Sequence, residues 1–211
     1  MPAVLNRSSV VTDEEAARMA EACDVQLVEH FCPDWELSPW RVRVNTRAFI
    51  HMVLVDEDRD VPGALAYHDM NGDRPVGVVM AKTVLDSGGS MFGPGGVAAA
   101  LSHEILETRA DPWCSFGVED GRGWEWWLEV CDAVQSTDYA IDGVHVSNYC
   151  LKDWFVPGRD SGRYDRLGQL SAPFTIDRGG YQVRRQPGSE SQVTGKAPAF
   201  HGWRTLKRVG L

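Results

Sequence analysis

The chain has no CxxC pair, no long apolar run and a deficit of basic residues, and each lack removes a class of function. Its five cysteines, Cys23, Cys32, Cys114, Cys131 and Cys150, are odd in number and unclustered, so mostly buried, reduced thiols are expected rather than a disulfide scaffold or a thiolate zinc site. No stretch approaches the roughly 18 apolar residues of a membrane-spanning helix, and no membrane partner is expected. Lys and Arg number 21 against 30 Asp and Glu, a formal charge of −9, which argues against nucleic acid as a partner. The opening MPAVLNRSSVVTDEE lacks a basic segment followed by an apolar one, so a chain made in the cytoplasm is expected. The glycine-rich DSGGSMFGPGG has neither the GK[ST] of a phosphate loop nor the GxGxxG of a dinucleotide site.

What is present is ordinary globular material, 211 residues with 43% hydrophobic and 24% charged, enough for one domain or a domain with an appendage. Thr12 and Glu15 form a capping-box pattern, and Ala16, Met19, Cys23, Leu27 and Phe31 recur at helical spacing, so a helix is expected over 12–31. Residues 41–56 read as one long strand or two shorter ones. Short strands are expected over 64–68 and 76–81, separated by a turn at 69–73 in which Asn71-Gly72 suits a tight reversal. The clearest helix is 97–111, ended by Pro112. Trp124, Trp126 and Trp127 read as anchors for an irregular loop, and 144–146 as a strand. Later, 174–176 and 181–183 suggest a small hairpin, 186–199 a linker, and 201–211 a basic end. This gives a body over 1–158 and a C-terminal hairpin with an extended, partner-contacting tail over 159–211.

The segment 97–111 carries the chemistry. On a wheel of about 100° per residue, Val97, Leu101, Ile105 and Thr108 share one arc, while His103, Glu107 and Asp111 step by four along another side. Side chains at i and i+4 reach the same point in space, and an imidazole with a carboxylate suits zinc or a similar cation. Glu104 follows His103 directly and is placed to take a proton from water that the cation acidifies. The motif is HExxH with glutamate in the last position, HEILE. Glu129 is the first choice for a third ligand and Asp132 for an acidic residue orienting the His103 ring. Asp111 is the rival ligand, its alternative role being to cap the turn that follows. Cys114 and Cys131 are further candidates, either as ligands or as a pair.

Read together, Asp34-Trp35, GALAYHD, LSHEILETRADP, LEVCD and GVHVSNYCLKDWF resemble a little-characterised group of zincin-like proteins of bacteria and their phages. The resemblance spans about residues 24–157 and stops near 160. It implies an α+β zincin-like fold, a small mixed sheet over an active-site helix; the C-terminal part, which it does not cover, is expected from its composition as an extended arm. It also implies an edge strand, 64–68 or 76–81, lying along an extended peptide substrate, and a Zn2+ site of His103, Glu107 and Glu129 with Asp132 close by. Tyr67, His68 and His145 become candidate transition-state donors. Glu107, standing where the peptidases have histidine, makes the site more negative and the water less acidified.

Two functions follow. One is a metal-dependent peptidase with Glu104 as its base. The other is a structural or assembly component of a phage particle, associated with head or tail, that reuses an inactive zincin scaffold. Residues 159–211 would then contact protein partners or other copies, the basic end docking on an acidic body.

Overall fold

The β-branched runs IHMVLV and RPVGVVM become neighbouring strands of one mixed sheet. The computed structural model describes residues 1–195. In that sheet β1 (Pro2–Asn6), β2 (Arg43–Val44), β3 (Ile50–Val55), β4 (Ala66–Asn71) and β5 (Arg74–Met80) lie in the order β2-β1-β3-β5-β4. The first, second, third and fifth run parallel, and β4 returns antiparallel at the edge. Gly72, at φ +64°, makes the reversal from β4 to β5, with Asn71 opposite Arg74. The turn is thus shorter than 69–73, and β4 is the edge strand while β5 lies inside. β1 is absent from the sequence reading, because PAVLN is too short to show a period.

Thr12 caps α1 (Asp13–Val25) by the expected box: its hydroxyl accepts from Glu15 N–H, and the Glu15 carboxylate accepts from Thr12 N–H. The helix continues through a π-helical turn, Gln26–Phe31, into α2 (Cys32–Asp34), so its axis ends close to the expected point. After β5 come α3 (Ala81–Asp86) and the long α4 (Val97–Ala110).

α4 packs against β3, β4 and β5 on one side and against a hairpin of β8 (Asp138–Ile141) and β9 (Val144–Ser147) on another. Every residue of 97–108 is therefore buried, the polar ones included. Small residues permit this. Ala98, Ala99 and Ala100 are buried at its start, and Ser102 Oγ accepts the Ser147 N–H at 2.6 Å.

A third sheet, in the order β11-β10-β7-β6, joins β6 (Gly117–Glu119) and β7 (Glu125–Trp127) to β10 (Tyr181–Gln186) and β11 (Ser189–Thr194). Among the described residues the structure is mixed α+β, with three sheets and few helices. Two expectations are corrected here. The hairpin is β10–β11, across Pro187-Gly188, not 174–176 with 181–183; Phe174 instead adopts φ +56° and packs on Trp126 and Trp154. The composition of 186–199 suggested a linker, yet 189–194 is paired strand. The expected docking end, 201–211, lies outside the described residues.

The stretch after residue 158 packs onto the body up to Thr194. Tyr164, Asp165 and Leu170 are buried, and β10 pairs with β7. The three tryptophans of WEWW anchor this join. Trp126 meets Trp154 edge-on, Arg184 lies 4.0 Å over Trp124, and Arg185 lies 4.4 Å over Trp127.

Candidate metal centre

One row of residues across the sheet sets the geometry. Met52 on β3 is opposite Gly77 on β5, and Gly77 is opposite His68 on β4. A Cβ on Gly77 would clash with Met52 Sδ and lie 3.4 Å from Glu104 Cβ. The bare backbone at Gly77 lets α4 settle onto the sheet at Glu104, and His68 then reaches the helix from the edge strand.

Two imidazoles and four carboxylates meet there. His103 Nε2 lies 3.2 Å from Glu107 Oε1 and 3.2 Å from Asp132 Oδ1. His68 Nδ1 lies 3.2 Å from Glu104 Oε2 and 3.4 Å from Glu107 Oε2. On its other side, His68 Nε2 faces Glu129 Oε2 at 3.5 Å and makes no hydrogen bond. Glu107 is thus clasped between both histidines, one oxygen to each, and its Oε1 also accepts the Cys131 N–H at 3.2 Å. His103, Glu104, Glu107 and Asp132 are each at most 4% exposed.

The loop after β7 brings Glu129, Cys131 and Asp132 back beside α4, the return pass that the sequence spacing suggested. β10 holds that loop in place: the Gln182 side chain donates to the Glu129 carbonyl, and the Tyr181 hydroxyl bonds Asp132. Neither Tyr181 nor Gln182 carries a motif that would have singled it out. Gly77 did carry a signal, an isolated glycine inside an apolar strand.

Electrostatics are severe in so buried a cluster. Burial works against a charged His68, but Glu129 and hydrogen bonds with Cys114, Glu104 and Glu107 hold its imidazolium well above the usual range. His103 is raised likewise, against burial, by Glu107 and Asp132. Burial lifts Glu104, and burial together with Glu107 pushes Asp132 up to about 7. Glu107 goes the other way: burial would raise it, and His103 and His68 hold it below the ordinary carboxylate range. The upward shifts all work in one direction, toward offsetting the crowded negative charge with protons, which is the part a bound cation would otherwise take.

The donor set also fits a cation. Bonds of about 2.0–2.1 Å in a tetrahedron place ligand atoms about 3.3–3.4 Å apart. The four closest nitrogen–oxygen separations here are 3.2, 3.2, 3.2 and 3.4 Å. In each histidine one ring nitrogen faces two carboxylate oxygens, and a single N–H aims well at only one of them. His103, Glu107 and Cys131 make one compact donor group, and His68, Glu104 and Glu107 another.

The expected site residues divide accordingly. His103, Glu104, Glu107 and Asp132 lie together in this cluster. Glu129 comes to the same cluster, where its close contact is with His68. His68, expected as a transition-state donor, lies within the donor set itself. Tyr67 points away, its hydroxyl donating to Asp58 at 2.8 Å, as period two demands of His68's neighbour. His145 pairs with Asp138 at 2.5 Å on the β8–β9 hairpin. Asp111 takes the capping role, accepting the Phe116 N–H at 2.7 Å. None of the five cysteines is in a disulfide.

Comparison of the chain with protein-family models, with curated proteins and with solved structures finds no match to any of them.

Proposed function

We propose that this chain is a zincin-like metal-binding protein whose centre is closed and structural, and that it serves in a phage particle or similar assembly rather than turning over a substrate. The observation that carries the metal is Glu107, a buried carboxylate shared between two buried histidines at ligand-like spacing. The cation would be held by His103 and Glu107, with Asp132, Cys131, His68, Glu104 and Glu129 around it; Zn2+ is the first choice for mixed nitrogen, oxygen and sulfur donors. Structural zinc sites are closed, whereas catalytic ones keep a position open to substrate. Burial of the donors, and the β10 strand that holds the Glu129–Asp132 loop over them, favour the closed kind. The resemblance to zincin-like proteins of bacteria and their phages points the same way.

A peptidase is the second reading, and the edge strand favours it. β4 has one neighbour in its sheet among the described residues, so its outer edge is placed to pair with an extended peptide. A bound cation supplies Lewis acidity toward a carbonyl and toward water. Glu104, its carboxyl raised above its ordinary value by burial, would take the proton and return it to the leaving amine. His68 would hold the Glu104 carboxylate in place, at 3.2 Å.

Elemental mass spectrometry on protein prepared without chelator tests the metal, with His103→Ala as the comparison. Zinc in the wild type and its loss in the variant are expected. No metal in either, with zinc supplied, ends both readings. Glu104→Gln then separates them: a base can be lost with metal content unchanged and peptide cleavage abolished, whereas no cleavage in the wild type leaves the closed centre.

A further inference from the structure

We propose that the centre binds a pair of divalent cations bridged by Glu107, one with His103 and Asp132 and the other with His68 and Glu104. This rests on the metal-binding reading above and extends it.

The two oxygens of Glu107 serve different neighbours. Oε1 faces His103 Nε2 at 3.2 Å, and Oε2 faces His68 Nδ1 at 3.4 Å. Each histidine in turn brings a carboxylate of its own at 3.2 Å, Asp132 for His103 and Glu104 for His68. The arrangement is therefore two nitrogen–oxygen sets that share one bridging carboxylate; the compact donor groups, His103 with Glu107 and Cys131 and His68 with Glu104 and Glu107, likewise have Glu107 as their common member. Each set joins α4 to a different element: His103 meets Asp132 of the loop after β7, and Glu104 meets His68 of the edge strand β4.

Charge decides between one cation and two. Glu104, Glu107, Glu129 and Asp132 gather around two imidazoles, which are neutral when they ligate metal. One divalent ion leaves two negative charges in a space where an uncompensated charge costs several kcal/mol, whereas two divalent ions match the four carboxylates. Independently of charge, the His68 side chain is 7% exposed and its Nε2 makes no hydrogen bond, with the Glu129 carboxylate at 3.5 Å. A buried imidazole in that state is explained by a cation on its ring, with Glu129 as a further oxygen donor. Carboxylate-bridged cation pairs are an established way to hold two metals close together.

Stoichiometry tests this. Full-length protein is stripped with chelator, dialysed against buffered free Zn2+, and assayed for zinc per chain. The wild type should hold about two ions per chain. His68→Ala and Glu104→Gln should each hold about half as much, and so should Asp132→Asn, while Glu107→Ala should lose most of both. Glu104→Gln keeps size and shape, so it stands if His68→Ala fails to fold. Co2+ loading gives a second readout, since exchange coupling between paired ions appears in the magnetic susceptibility of the wild type and vanishes in Glu104→Gln. One zinc in the wild type, unchanged in His68→Ala and Glu104→Gln, overturns the pair and leaves the single-metal reading standing. Two ions indifferent to all four substitutions place the metal elsewhere and overturn it too. No zinc at all sinks the metal-binding reading itself.

Discussion

The molecule buries two polar clusters about the same helix-and-hairpin core, and they are satisfied in opposite ways. Around Asp165 every acceptor meets a donor: Oδ2 takes Asn148 Nδ2 at 2.7 Å and the Leu167 N–H at 3.1 Å, and Oδ1 takes the Leu170 N–H at 2.8 Å. Asn148 is used just as fully, its Nδ2 also donating to Thr137 and its Oδ1 accepting from Tyr149 N–H. At the α4 centre carboxylates face carboxylates across two imidazoles, and His68 Nε2 has no hydrogen bond. Neutral donors complete the first cluster from within the chain. The second is complete only with protons or a cation. A buried polar cluster is thus diagnosed by what its acceptors face, rather than by how many acidic residues it contains.

The largest effect should come from breaking the satisfied cluster. Asp165→Ala leaves the Leu170 N–H and one Asn148 Nδ2 hydrogen without an acceptor, and the Leu167 N–H with only its bond to Asn148 Oδ1, at about 1–3 kcal/mol for each buried donor left unpaired, so a net loss of about 2–4 kcal/mol is expected in urea unfolding. Zinc bound per folded chain should not change. A loss under about 1 kcal/mol would mean that water replaces the carboxylate freely, and the contrast between the clusters would fail.

The unsatisfied cluster should respond to metal instead. Zinc at about 100 times its dissociation constant adds about 2.7 kcal/mol to stability, a rise of roughly 5–10 °C in melting temperature for a chain of this size. Glu107→Ala should abolish that rise. In chelator the same substitution should cost far less than Asp165→Ala, because it removes one of four crowded carboxylates along with their mutual repulsion. Differential scanning calorimetry with and without zinc reads both arms. Equal losses in chelator would show that the two clusters are alike.

How much of this was legible in the sequence depends on the range of the interaction. Local signals carried well: the Thr12–Glu15 box, the α4 helix and its HEILE spacing all lie within a turn or two of chain. The Asn71-Gly72 reversal was found, though placed too wide, because strand ends are set by pairing with β5 rather than by composition. Nothing local distinguishes His68 from Tyr67; only the pleat decides that one faces α4 and the other Asp58. For the same reason Tyr181 and Gln182 could not be read as supports of the Asp132 loop, since they come from a strand pairing across a long stretch of chain. The misread linker at 189–194 shows the limit from the other side. SESQVT is polar enough for a loop, and it is strand because β10 offers it an edge.

Gly77→Ala sharpens the comparison at the sheet side of the centre. The added methyl meets the Met52 thioether, a movable end, so the expected cost is about 1 kcal/mol, at the lower end for an overpacked core. It also presses toward Glu104, so zinc affinity should fall by several-fold while Asp165 and its partners are untouched. Isothermal titration with zinc, beside urea unfolding, separates the two consequences. Lost stability with unchanged zinc affinity would show that Met52 alone absorbs the methyl and that the bare backbone does not set the His68–Glu104 spacing.

The smallest effect concerns a carboxylate nearer the surface that is satisfied by donors in the manner of Asp165. Asp56, at the end of β3, accepts Ser8 Oγ at 2.6 Å, the Ser9 N–H at 2.7 Å and Ser9 Oγ at 2.6 Å. Those bonds, the Ser8 hydroxyl first, lower its pKa from 3.8 to about 2. A depressed carboxylate favours the folded state above its ordinary pKa, and that contribution fades as pH falls from 3.8 through about 2. Ser8→Ala combined with Ser9→Ala should return the Asp56 titration, followed by its side-chain carbon shift in NMR, toward 3.8 and flatten the acid limb of stability in that window. The backbone N–H of Ser9 remains in the double variant, so a small depression should persist. An unchanged titration would mean that the serine hydroxyls contribute nothing beyond what water supplies. The matching of acceptors to donors would then stabilise carboxylates only where water is excluded, as at Asp165, and not at the surface.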